Sequence, residues 1–161
     1  MTKLRKLTAL LLAGALALLL LTACGGGSSS PEAQAEANVM RAINSRRTES
    51  VALCNDSEMR KVADARLDDL EAELKGGALG YNFFNKVKTE WDSDNKNGTI
   101  TLVAKYDYKD TTLEKIIDHI SGGKHDSNLD IVLGGKYTKA GVVARTIRGQ
   151  TYIAISLQVK T

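Results

Sequence analysis

Histidine and cysteine are scarce in this chain: two of each occur in 161 residues. If Cys24 is lipidated, as argued below, no intramolecular disulfide can form. The folded part is then expected to hold by packing alone. Two histidines, His119 and His125, leave little material for a metal centre or a base near neutral pH. The usual catalytic signatures are missing as well. No G-x-S-x-G elbow and no H-E-x-x-H occur, and Gly134-Gly135-Lys136-Tyr137 lacks both the upstream glycine and the following Ser or Thr of a phosphate loop. No acid precedes Glu32, and no internal repeat is visible.

What is present begins with the N-terminus. Lys3, Arg5 and Lys6 form a positive tip, and Leu7 to Leu21 is nearly all Leu and Ala. Tip and apolar run together read as a secretory signal. Leu21-Thr22-Ala23-Cys24 follows, and it resembles the lipobox of bacterial lipoproteins at every position. That resemblance implies a diacylglyceryl thioether on Cys24, with palmitate-type acyl chains, and cleavage before it. A retained signal anchor is the plainer alternative. Either way the remainder lies outside the cytoplasm and is held to a membrane. Gly25 to Ser30 reads as a coil of roughly 13 Å average span between lipid and domain. Residues 1–23 are thus expected to be signal, 24–30 lipidated cysteine and linker, and 31–161 one domain.

Removing the signal changes the charge. Three of the 22 Lys and Arg residues lie in it, so the mature chain carries 19 cations against 19 acids. Bulk charge then gives no reason to expect nucleic acid as a partner.

Ser30-Pro31-Glu32 is a helix start, with a hydroxyl cap and proline at the first helical position. This helix is expected to run to about Arg47 and to lie on a surface through Val39, Met40 and Ile43. A second helix is expected from Asn55 or Asp56, with Asn55 and Glu58 spaced as a capping box. Met59, Val62, Ala63, Leu67, Leu70 and Leu74 lie on its apolar face, and Gly76-Gly77 ends it. From Thr99 the period becomes two, as in a half-buried strand through Tyr106. Asn82 to Trp91 reads as an irregular strand or loop before it. Thr111 and Glu114 form another capping box, opening a short helix closed by Gly122-Gly123. Gly141–Ile147 and Thr151–Val159 read as a closing antiparallel hairpin. The pattern predicts an α+β domain, an antiparallel sheet covered by helices on one or both faces.

Cys54, after Val51-Ala52-Leu53, has no base placed beside it and reads as a small buried hydrophobe rather than a nucleophile. The densest set of possible ligands is "LEKIIDHISGGKHDSN", where Glu114, Asp118, His119, His125 and Asp126 fall together. Helix capping and the helix dipole account for much of that pattern without a metal.

The order of landmarks resembles the CAP superfamily, the domain of cysteine-rich secretory proteins, antigen 5 and plant pathogenesis-related proteins (SCP-like domains), in its bacterial secreted branch. The residues that carry the likeness are Ile43-Asn44-Ser45-Arg46-Arg47, then Leu53, Asp56 and Val62-Ala63-Asp64-Ala65-Arg66. Gly80-Tyr81-Asn82, His125-Asp126-Ser127-Asn128 and Tyr137-Thr138-Lys139-Ala140-Gly141-Val142 follow in the same order. The resemblance implies an α-β-α sandwich, a small antiparallel sheet between helical layers, with a cleft near Tyr81, Asn82, His119, His125 and Asn128. Many members line that cleft with two histidines and two acids that can hold a divalent metal. Here Tyr81 stands where the family has glutamate, and no histidine lies between Arg47 and Asp118. The expectation is therefore a tethered, non-catalytic binding module without a cofactor, facing an envelope or extracellular ligand. The alternatives are a metal-dependent hydrolase of cell wall or peptide using His125 and Glu114, with His119 and His125 as metal ligands, and a lipid- or sterol-binding protein.

Overall fold

The computed structural model describes residues 30–47, 51–77, 87–94, 96–121 and 137–160. Helix α1 spans Pro31–Arg46 and α2 spans Ser57–Lys75. Strands β1 (Lys88–Trp91) and β2 (Asn97–Tyr106) precede helix α3 (Asp110–Ser121), and β3 (Tyr137–Ile147) and β4 (Gln150–Lys160) complete the order. The four strands form one antiparallel sheet in the order β1-β2-β4-β3. Among the described residues no helix is long and apolar enough to cross a membrane.

The expected mixed α+β class is what forms, with helices on both faces of the sheet. On one face Val39, Met40 and Ile43 of α1 and Ile116, Ile117 and Ile120 of α3 pack on Ile100, Leu102, Ile153, Ile155, Leu157 and Val142. On the other, Ala63, Leu67 and Leu70 of α2 cover Val103, Val143, Tyr152 and Ala154. This corrects the half-buried reading of the strand at Thr99: Thr101 and Val103, on its supposed polar side, are buried beneath α2. The alternation of β2 is as expected, but its second apolar layer comes from a helix distant in sequence.

Local chemistry sets the element ends. The Ser30 hydroxyl accepts from the Ala33 N–H at 3.1 Å, as the capping pattern requires. At α2 the cap is Asp56, whose carboxylate accepts from the N–H groups of Glu58 and Met59. Asn55, expected to share that role, reaches away from the helix: its amide brackets Val142, donating to the carbonyl at 2.9 Å and accepting from the N–H at 2.7 Å. Nor does Thr111 cap α3, which starts one residue earlier. The Asp107 carboxylate accepts there from the Lys109 N–H and the Thr112 hydroxyl. Arg148 and Gly149, both at positive φ, form the two-residue turn of the β3–β4 hairpin.

The two sheet edges differ. β1 is four residues long, exposed and charged at Lys88 and Glu90, which blunts it. The outer edge of β3 is sealed. Asp56 donates its N–H to the Ala140 carbonyl at 2.8 Å. Asn55 and Arg60 both donate to the Val142 carbonyl, and the Ala144 N–H donates to the Glu36 carboxylate at 3.1 Å. Glu36 also pairs with Arg60 at 2.5 Å, so α1 and α2, on opposite faces, join hands across the edge strand.

That clasp requires α2 to sit close, and the sheet makes room for it. Gly141, Ser156 and Thr101 form one cross-strand row of small residues, the two hydroxyls bonded to each other at 2.9 Å. A Cβ on Gly141 would stand 2.2 Å from the Met59 carbonyl carbon and 2.3 Å from the Arg60 nitrogen. Gly141→Ala is therefore expected to destabilise the fold by about 3 kcal/mol, because backbone must move to admit it; urea denaturation measures this. Glu36→Ala leaves the Ala144 N–H without its acceptor and Arg60 without its ion-pair partner, and should cost about 2 kcal/mol in the same measurement.

Candidate functional site

Helices α1 and α3 lie side by side and run in the same direction. Asn38 and Arg41 of α1 stand beside Asp110 and Leu113 of α3, and further along Arg46 pairs with Asp118 at 3.6 Å. Where β2 ends and α3 begins, the helices leave a groove of about 300 Å³. Its walls carry Asn38, Arg41, Tyr106, Tyr108, Asp110 and Leu113. The small Ala42 and Ser45 keep it open on the α1 side.

The two tyrosines occupy very different environments. Tyr106, the last residue of β2, is buried, and burial pushes its phenol above the usual tyrosine range, while a hydrogen bond from Asn38 works in the opposite direction. Tyr108 lies two residues on in the turn to α3 and is 45% exposed. Its φ is +63°, a left-handed backbone that a bulky side chain rarely adopts. The rings lie 5.0 Å apart between centroids, tilted by 56°.

A relay of hydroxyls fixes the Tyr108 ring. Tyr108 Oη and Thr151 Oγ1 are 3.2 Å apart, Thr151 and Thr146 hydroxyls 3.1 Å, and Thr146 Oγ1 and Glu32 Oε1 2.8 Å. Thr146 donates to the Glu32 carboxylate and Thr151 donates to the Tyr108 oxygen, so the two neighbouring threonine hydroxyls point in opposite directions. The Thr146 hydroxyl is also the chief reason the Glu32 carboxyl sits below its usual range. Asp107 ties down the other side of the turn. On the α1 wall, Arg41 donates to Asn38 Oδ1 at 2.9 Å. Asp110 forms no ion pair among the described residues and opposes Arg41 across the groove with the other sign of charge.

Of the site residues expected from sequence, Cys24, Tyr81, Asn82, His125 and Asn128 lie outside the described residues. Glu114 and His119 are described, and the structure does not bring them together. Glu114 is exposed on α3, whereas His119 is half-buried. Five residues apart on a helix, they point roughly 140° away from each other. His119 also lies about 13 Å along α3 from Asp110, away from the groove. No group of three His, Cys, Asp or Glu side chains among the described residues could hold a metal. Cys54 differs from its expected role: it is exposed rather than buried.

The motif residues that are described act in the framework. Asn44 donates to the Leu53 carbonyl and accepts from the Leu53 N–H, both at 2.8 Å, fastening the link after α1. Arg47 donates to the carbonyls of Val51 and Tyr137, and its guanidinium stands 5.7 Å from the centroid of the buried Tyr137 ring. Ile43 is core, and Gly141 and Val142 receive α2 and its clasp.

Comparison of the chain with protein-family models, with curated proteins and with solved structures finds no match to any of them.

Sequence reasoning missed the groove. The signal was Tyr106-Asp107-Tyr108-Lys109-Asp110, which puts two of the chain's five tyrosines at a strand-to-helix turn where glycine or asparagine would fit the backbone better.

The Asp107 carboxyl is held below its usual range chiefly by the Thr112 hydroxyl, which outweighs the opposing effect of burial, with the Lys109 N–H and ammonium lowering it further. A lowered folded pKa contributes stability above the ordinary aspartate value near 4, and that contribution is lost as pH falls through the lower folded value. Asp107→Asn should therefore flatten the acid limb of a stability–pH profile below about pH 4. Thermal unfolding across that range checks it.

Proposed function

We propose that this chain is an extracytoplasmic lipoprotein, anchored by acylated Cys24, whose domain is a non-catalytic binding module presenting the α1–α3 groove to a ligand at the cell envelope. The tethering half rests on the order of charged tip, apolar run, lipobox and Gly/Ser stretch. Helix α1 begins directly after that stretch, capped by its last serine. Acyl chains supply the membrane affinity, about 0.8 kcal/mol for each buried methylene.

The observation that carries the binding half is Tyr108. An aromatic residue held at φ +63° costs about 1–3 kcal/mol of backbone strain. Its ring is nevertheless pinned and left exposed at the mouth of a groove, as preorganised recognition surfaces are. A CAP-like ancestry fits the helical layers on both faces and the contact between Arg47 and Tyr137, which joins the first and last motifs of the resemblance. On this reading those motifs maintain the scaffold, and ligand contact falls to residues outside them.

Growth of cells expressing the full chain with a clickable palmitate analogue should label the protein, and Cys24→Ser should abolish the label. One sulfur cannot hold both a diacylglyceryl thioether and a disulfide. The mass of the N-terminal peptide therefore decides the matter: an acylated Cys24 supports the proposal, and a Cys24–Cys54 disulfide in the mature protein overturns it. The purified protein is expected to release no soluble reducing ends from cell-wall sacculi, with or without added zinc, and release would return the hydrolase reading.

A further inference from the structure

We infer that the α1–α3 groove binds a neutral, hydroxyl-rich saccharide, one ring stacked on the face of Tyr108 and its hydroxyls taken by Arg41 and Asp110. This rests on the binding-module reading above and names its ligand class.

Charge selects the ligand first. Arg41 and Asp110 line the same groove. An anionic ligand such as a phosphate would be attracted by one and repelled by the other, and an ammonium would meet the same conflict in reverse. An acyl chain or sterol would bury both charged groups without a partner, at a desolvation cost it cannot return. A neutral polyol satisfies both, because adjacent hydroxyls donate to a carboxylate and accept from a guanidinium.

Shape selects next. The groove volume of about 300 Å³ lies at the low end for small-molecule sites, about 300–1,000 Å³, and suits one or two sugar rings rather than an enclosed apolar ligand. Tyr108 provides a flat, amphipathic face. Its hydroxyl is engaged by Thr151 and its ring is backed by Tyr106, so little side-chain freedom remains to be lost on binding. Asn38 holds Arg41 at its Nη1 and leaves the other N–H groups of the guanidinium for a ligand. The left-handed backbone at position 108 explains why the test can separate function from folding: glycine is the residue that conformation prefers.

The test uses the full acylated chain in detergent micelles, titrated calorimetrically with chitotetraose and, separately, maltotetraose. Saturable binding of either is expected. Tyr108→Gly should weaken it at least about tenfold while the melting temperature holds or rises, and Asp110→Asn should weaken it without altering the fold. The inference is overturned if neither oligosaccharide binds. Binding by Tyr108→Gly equal to wild type also overturns it, as does a sharp fall in its melting temperature, which would make Tyr108 a structural residue. Preference between the two sugars distinguishes an N-acetylhexosamine glycan from a plain hexose polymer. If acyl label is present on Cys24 and no sugar binds, the tether stands and this inference falls. Sugar binding by a chain without acyl label gives the reverse.

Discussion

The sealed edge of β3 is the constraint around which the molecule is arranged. An edge strand presents a row of unpaired backbone groups, which invites pairing with another chain. Here Asp56, Asn55, Arg60 and Glu36 take up the outward-facing groups of Ala140, Val142 and Ala144. Two of these four sit on helices that cover opposite faces of the sheet, so closing the edge also fixes one helical layer relative to the other. Their pairing is short and half-sheltered, and Glu36 is more enclosed than Arg60. Such a pair matters less for its Coulomb energy than for the backbone groups it satisfies. The small-residue row at Gly141, Ser156 and Thr101 is the packing counterpart of this closure. It lets the start of α2 come close enough for Asn55, Asp56 and Arg60 to reach the strand.

Helix α1 connects that framework to the groove. Its first turn carries Glu32, which accepts from Thr146 at the far end of the row of hydroxyls beside Tyr108. Its second carries Glu36 of the clasp, and its third carries Asn38 and Arg41 of the groove wall. One amphipathic helix thus touches the edge strand, the sheet face and the groove. Because the relay joins the turn after β2 to the β3–β4 hairpin and to α1, the strained Tyr108 backbone is held by three separate elements. Strain of that kind persists only where the surroundings over-determine it.

How legible this is in the sequence varies with the range of the interaction. Helix α1, the course of α2 to Gly76, the alternation of β2 and the closing hairpin follow from local signals: a capping serine, a 3.6-residue period, a two-residue period and a turn. The failures are of another sort. Asn55 reads as a cap because its spacing to Glu58 fits, yet Val142, 87 positions away, claims its amide. Thr111 reads as a cap for the same reason, although Asp107 and Thr112 organise the turn. Val103 and Thr101 alternate as if on a wet face that α2 in fact covers. Cys54 has the apolar neighbours of an interior residue and stands at the surface. In the candidate site, Glu114 and His119 belong to one dense stretch of sequence but to different sides of one helix. Tyr106, Tyr108, Arg41 and Asp110, drawn from three elements, show no shared pattern along the chain.

The sequence by itself therefore determined the signal-like N-terminus, the α+β class and most helix and strand positions, because these depend on side chains within a few residues of one another. Tertiary structure alone decided which helices cover which face of the sheet and that its β3 edge is closed. It alone brought a strained tyrosine, an arginine and an aspartate to one groove. Those outcomes depend on side chains and backbone groups that meet only after the chain has folded back across many residues, and local periodicity carries no record of which distant partner each group will find.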